Sequence, residues 1–380
     1  MKKFVLITFV FIAFMSIYPN ILNVKAESLN DVIDEQLEKI DLDDLIQYFE
    51  NQGESNFYEF VLSILNGKIN VDYNSVFEYF FNVFLVKIKD FLPILTSILT
   101  ITIFCGLVNS VKGSFFSEQI SSVIFFICLL SIIVLLCSQV ALIFNDVSKS
   151  IINMGKLSEI VLPILITLMI GAGGTVSATV FTPTVALLST TIINIFINIL
   201  LPFIIVGLIF SVFSNISDSI KLKKFSEFFN GIVKWIIGIC VTVFSLFLTI
   251  NGIASAGFDG ISIKTVKYAI SNSIPMIGGF LKDGVDLVVA GSILIKNSVG
   301  IATLVFLFYN LISPVIQIIC FNTVLKLIIS FVEPISDGRI TDLCSSVSKG
   351  VTMILVCLLF VAFMFFITII LMVLTANSFI

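Results

Sequence analysis

Six long stretches of this sequence carry no charged residue at all: Phe91–Val111, Gln119–Asn145, Ile160–Ser217, Trp235–Phe258, Asn297–Leu325 and Gly350–Ile380. A helix needs about 20 apolar residues to cross a hydrocarbon layer about 30 Å thick, and every one of these runs is long enough. Lipid offers no partners to backbone amides and carbonyls, so the runs must be helices, which satisfy their own hydrogen bonds. A β-barrel is excluded, because the runs do not alternate polar with apolar residues. Composition agrees: charged residues make up 12% of the chain and hydrophobic residues 58%, whereas a soluble domain is about 25% charged. The fold class is all-α, a polytopic helical membrane protein.

Five of the runs fit one span each. The third, Ile160–Ser217, is 58 residues long, too long for one span and short for three. Its glycines and prolines (Gly171, Gly173, Gly174, Pro163 and Pro183) are candidate interruptions, so a broken or re-entrant helix is expected there. Orientation follows from the lysines. The short loop Asp218–Lys234 contains Lys221, Lys223, Lys224 and Lys234, and an odd number of crossings in the third run makes that loop cytosolic. Two crossings would leave more basic residues outside than inside. The expected total is about six to eight membrane segments.

The N-terminus reads as a secretory signal, residues 1–26. Lys2 and Lys3 precede an apolar core from Phe4 to Tyr18, and Val24-Lys25-Ala26 supplies small residues before a cleavage site at Glu27. An uncleaved first span is the alternative. Either way, the next segment is placed outside the cytosol. That segment, 27–90, carries 14 Asp or Glu against four Lys. Its apolar residues recur at helical spacing (Leu29, Val32, Ile33, Leu37, Ile40), so it reads as two or three short amphipathic helices. Membrane helices follow over 91–256 and 298–380. Between them, 257–297 is less hydrophobic, with breaks expected at Gly260, Pro275 and Gly278–Gly279. It reads as an amphipathic interfacial segment whose charges, Lys267, Lys282, Asp283, Asp286 and Lys296, are solvated or face a partner.

The chemistry this chain excludes is extensive. It has no histidine, which rules out His-dependent triads, His-ligated metals and a His pH switch. The seven cysteines form no CxxC pair, and most lie in apolar runs, where free Cys behaves as a small hydrophobe. There is no GxxxxGK[ST] loop for ATP and no basic nucleic-acid surface, since Arg339 is the single arginine. No cofactor or metal is expected, and no enzyme activity. What remains is the polar part of the third run, where Thr175, Ser177, Thr179, Thr182, Asn194 and Asn198 stand among apolar residues. These serve either close helix packing or a lined solute path at a broken helix. The candidate break and path residues are Gly171, Gly173, Gly174, Thr175, Ser177 and Pro183. The charge-free runs offer no ionisable residue to such a path. The candidate partner-facing residues are Lys221, Lys223, Lys224, Lys267 and Lys296.

The signal peptide, short acidic region and polytopic body together resemble the stage III sporulation protein AE family of endospore-forming bacteria. The stretch Ser262–Ala302 carries the likeness most clearly, with Lys267-Tyr268-Ala269, Pro275, Gly278 and Lys296-Asn297 before Gly300. The resemblance covers essentially the full length and rests on overall similarity rather than a short motif. It implies a non-enzymatic component of a channel complex between mother cell and forespore, set in the mother-cell-derived membrane around the forespore. Implied partners are other stage III A-operon proteins, including a cytosolic ATPase and ring-forming intermembrane-space proteins, together with the forespore stage II protein Q. The competing reading is a secondary transporter or permease for a small solute.

Overall fold

A computed structural model describes residues 45, 47–49, 57–65, 73–110, 118–216, 222–273, 278–334 and 338–375. Among these residues there is no strand. The helices are α1 (Phe57–Leu65), α2 (Tyr73–Ser110), α3 (Glu118–Gly171), α4 (Thr175–Ala186), the short α5 (Ile193–Ile195), α6 (Leu201–Ser214), α7 (Lys223–Ser273), α8 (Gly278–Val332) and α9 (Gly338–Leu374). Two π-helical segments, Leu187–Ile192 and Phe196–Leu200, join α4, α5 and α6 into one continuous rod. Among the described residues, six helices are long and apolar enough to cross a membrane, within Phe80–Val108, Gln119–Gly171, Thr190–Ser214, Lys223–Thr249, Gly284–Val332 and Gly338–Leu374.

The longest helices form the centre. α3 has 54 residues and α8 has 55, which at about 1.5 Å per residue is some 80 Å each. They run antiparallel: Asp146 meets Gln317, Ser150 meets Asn310, Leu165 reaches Gly300 and Gly171 touches Ser292. α9 returns antiparallel along α8, with Ser348 and Thr352 at Asn322 and Val373 against Gly300. α6 lies antiparallel to α9, with Leu208 against Gly350 and Asn215 bonded to Ser346. α6 and α7 form a further hairpin through Phe203, Phe210, Phe225 and Phe229. These registers gather the ends of α2, α6 and α8 at one end of the bundle. The break after α3 and the last turn of α9 lie at the other. Glycine sets several of the closest approaches, since a Cβ on Gly155, Gly300 or Gly350 would run into Ile193, Val373 or Leu208.

Several boundaries expected from the sequence fall inside helices. α2 passes through Asp90, α7 passes through Gly260, and α8 runs uninterrupted through Lys296, so 257–297, where it is described, is shared between the end of α7 and the start of α8. Pro163 and Pro183 also sit within helices. Prolines are tolerated in membrane helices because neighbouring groups take up the freed backbone. The acidic region is not set apart from the bundle. Leu45, Phe49, Val61 and Ile64 are buried in the main core, and Phe49 packs 4.1 Å from Phe306 between ring centroids. Tyr48 donates its hydroxyl to the Asn153 carbonyl at 3.0 Å, and burial raises its pKa, so the proton stays available for that bond. The signal segment lies outside the described residues.

Candidate functional site

The third charge-free run is divided by a sharp turn between α3 and α4. α3 ends at Gly171, Gly173 adopts φ 84°, and α4 begins at Thr175. The amide of Gly174 donates to the Met169 carbonyl and that of Gly173 to the Ile170 carbonyl, both at 2.8 Å. This pair of bonds is the Schellman arrangement, in which a left-handed residue closes a helix and satisfies its last carbonyls. Glycine is favoured at 173 because a Cβ there would crowd the carbonyl. Gly171 is required for a different reason: a Cβ would stand 2.6 Å from Ser292 Oγ of α8. Ala172 packs with Val289 and Ile293, so the turn is seated on α8.

The hydroxyls beyond the turn mostly serve their own helix. Thr179 and Thr182 donate to the carbonyls of Thr175 and Ala178, each at 2.8 Å. Ser177 is buried, whereas Thr175, Thr179 and Pro183 are exposed. Pro183 has no amide to give the Thr179 carbonyl, and the two π-helical segments follow it. Farther along, Thr190, Thr191, Asn194 and Asn198 are exposed. The structure therefore seats the turn on α8 through Gly171 and Ala172, buries Ser177 just beyond it, and leaves Thr190, Thr191, Asn194 and Asn198 exposed.

The lysines separate into different classes. Lys223 and Lys224 are exposed at the start of α7. Lys221 lies outside the described residues, as does the side chain of Lys267. Lys296 is a correction. Expected to be solvated or partner-facing, it is 0% exposed, with its ammonium donating to the Thr375 carbonyl at the end of α9. A cation there satisfies a terminal carbonyl and lies at the negative end of the α9 dipole. The helix is enclosed on every side there, since no residue of 291–300 is exposed.

The expectation that no ionisable residue lies within the spans is corrected too. α3 carries Asp146, Lys149, Lys156 and Glu159 in its middle without ending. The Asp146–Gln317 and Ser150–Asn310 contacts bracket Lys149, which sets it near the middle of the charge-free stretch of α8. Lys156 and Glu159 lie between the Ser150–Asn310 and Leu165–Gly300 contacts, still alongside that stretch. Gln317 donates to Asp146 at 2.9 Å, while Lys149, Lys156 and Glu159 are exposed. Among the described residues no group of three or more Cys, Asp or Glu is placed to hold a metal.

The family described as stage III sporulation protein AE matches residues 55–376. The chain is also 26% identical, over 303 residues, to the stage III sporulation protein AE of Bacillus subtilis (strain 168), covering 80% of this chain and 75% of that protein. No solved structure matches the chain.

Proposed function

Because the chain belongs to the stage III sporulation protein AE family, and so has a part in sporulation, we propose that it is a non-enzymatic membrane component of a channel complex joining mother cell and forespore. The observation that carries this reading is the extent of the match, which takes in all six helices that, among the described residues, are long and apolar enough to cross a membrane. The proposed location is the mother-cell-derived membrane around the forespore. The proposed partners are other stage III A-operon proteins, among them a cytosolic ATPase and ring-forming intermembrane-space proteins, and the forespore stage II protein Q.

The end of the bundle bearing Lys223, Lys224, Lys326 and Arg339 is proposed to face the cytosol, since basic residues are retained on that side. It is the surface on which an ATPase would dock. The test is deletion of the gene with a fluorescent fusion restored in its place. The channel reading expects arrest at stage III, rescue by the fusion, and fluorescence ringing the forespore. A permease would give normal spore numbers, with signal spread evenly over the cell membrane.

A further inference from the structure

The middle of α3 combines two properties that do not coexist on a lipid-facing helix. Lys149, Lys156 and Glu159 are exposed, yet the register with α8 sets them beside its charge-free stretch. A charge at the bilayer centre costs about 2.5–3.5 kcal/mol even on the mildest scale, so these side chains need protein or water against them. The polar surface continues onto the neighbouring rod. Gly155 of α3 lies against Ile193 of α5, and the residues following each in sequence, Lys156 and Asn194, are both exposed. Asn198, one turn on, is exposed as well, with its amide 3.4 Å from the Asn194 carboxamide oxygen.

We infer that this face is an interface between two copies of this chain. The argument for a second copy is self-complementarity. On the outward face of α3, Lys156 and Glu159 set a base and an acid about one turn apart, while Asp146 is half-buried and accepts from Gln317. Two copies related by a two-fold axis along the membrane normal present the same face to each other. Lys156 of one then meets Glu159 of its mate, and the pair occurs twice. Asn194 and Asn198 suit the same symmetry, because a carboxamide both donates and accepts. Polar residues of this kind drive association of helices inside membranes. Gly155 keeps the α3–α5 approach close, which holds the charged and amide portions on adjoining helices. The inference rests on this geometry and stands apart from the sporulation role.

The test uses the full-length chain expressed in a bacterial membrane that contains no sporulation protein. A photo-crosslinking amino acid is placed at Asn194 or Asn198, and at the exposed Leu246 and Phe363 as lipid-facing controls. The expected result is a crosslinked species of twice the chain mass from 194 and 198 and none from the controls. Charge exchange then tests the pairing, with the crosslinker at Asn198. Lys156→Glu alone and Glu159→Lys alone should each weaken dimer recovery by about tenfold, and the double exchange should restore it. Adducts only with lipid, adducts only with other proteins, or a monomer at every position would each overturn the proposal. Dimer recovery indifferent to both single exchanges would do so as well. Circular dichroism on each variant distinguishes loss of pairing from loss of folding.

Discussion

α8 and α3 cross the bundle side by side and handle polar side chains in opposite ways. On α8 they turn inward and find partners within the chain: Lys296 at the end of α9, Gln317 at Asp146, and Thr303 at its own Val299 carbonyl. On α3, Asp146 takes up Gln317, but Lys149, Lys156 and Glu159 turn outward. The lesson concerns what a membrane helix does with polarity. An inward group adds to folding of one chain, because the alternative in an apolar surrounding is an unsatisfied donor or charge. An outward group at the same depth contributes nothing to the single chain and becomes meaningful when another surface covers it.

The sharpest way to break this comparison is at Lys296. Lys296→Glu would oppose a carboxylate to the Thr375 carbonyl and the negative end of α9, with a loss of about 3 kcal/mol or more. Lys296→Met keeps the length without the charge and should lose much less. Thermal unfolding of the purified protein in detergent measures both. Equal stability of the Glu variant and the parent would mean that the ammonium is not enclosed.

Next in size are the glycines that bring α9 to its neighbours. Gly300→Leu would force Val373 away from α8, and Gly350→Leu would do the same to Leu208. Overpacking of this kind costs about 1–3 kcal/mol, seen as a lower unfolding midpoint. By contrast, Leu at Gly231 or Gly238, where a Cβ meets nothing within 4 Å, should leave the midpoint close to that of the parent.

A smaller effect is expected at the turn. Gly173→Ala must place a Cβ at φ 84°, at about 1–2 kcal/mol. Gly173→Asn should be milder, since Asn tolerates the left-handed region. If the Ala variant matches the parent, the turn does not require this conformation. The smallest change is Asn215→Leu, which removes the hydrogen bond to Ser346 together with one to the Ser211 carbonyl of its own helix. Bonds of this type between membrane helices average about 0.6 kcal/mol, so a double-mutant cycle with Ser346→Ala is the suitable measurement.

The spans were legible because charge ends where lipid begins, and Gly173 was legible because a glycine cluster in an apolar run needs a reason. Two things were hidden. The charges at 146–159 looked like the end of a span, yet Lys and Glu are good helix formers and α3 continues through them. The inward turn of Lys296 depends on where α9 ends, a long-range register that no local pattern encodes. The same applies to the acidic segment. Its amphipathic periodicity was readable, while the surface that Tyr48 and Phe49 cover, around Asn153 and Phe306, is set by the pairing of α3 with α8.

The depth and covering of α3 can be read most directly with a nitroxide at Ile152, which is exposed one turn from Lys156. Native cysteines would be replaced and the protein reconstituted in lipid bilayers. Accessibility to oxygen and to a water-soluble nickel complex would be compared with Leu246 and Lys223 as references. A face at membrane depth covered by a second copy predicts low accessibility to both reagents. Accessibility to the nickel complex as high as at Lys223 would place this part of α3 in open water, and oxygen accessibility as high as at Leu246 would place it against lipid.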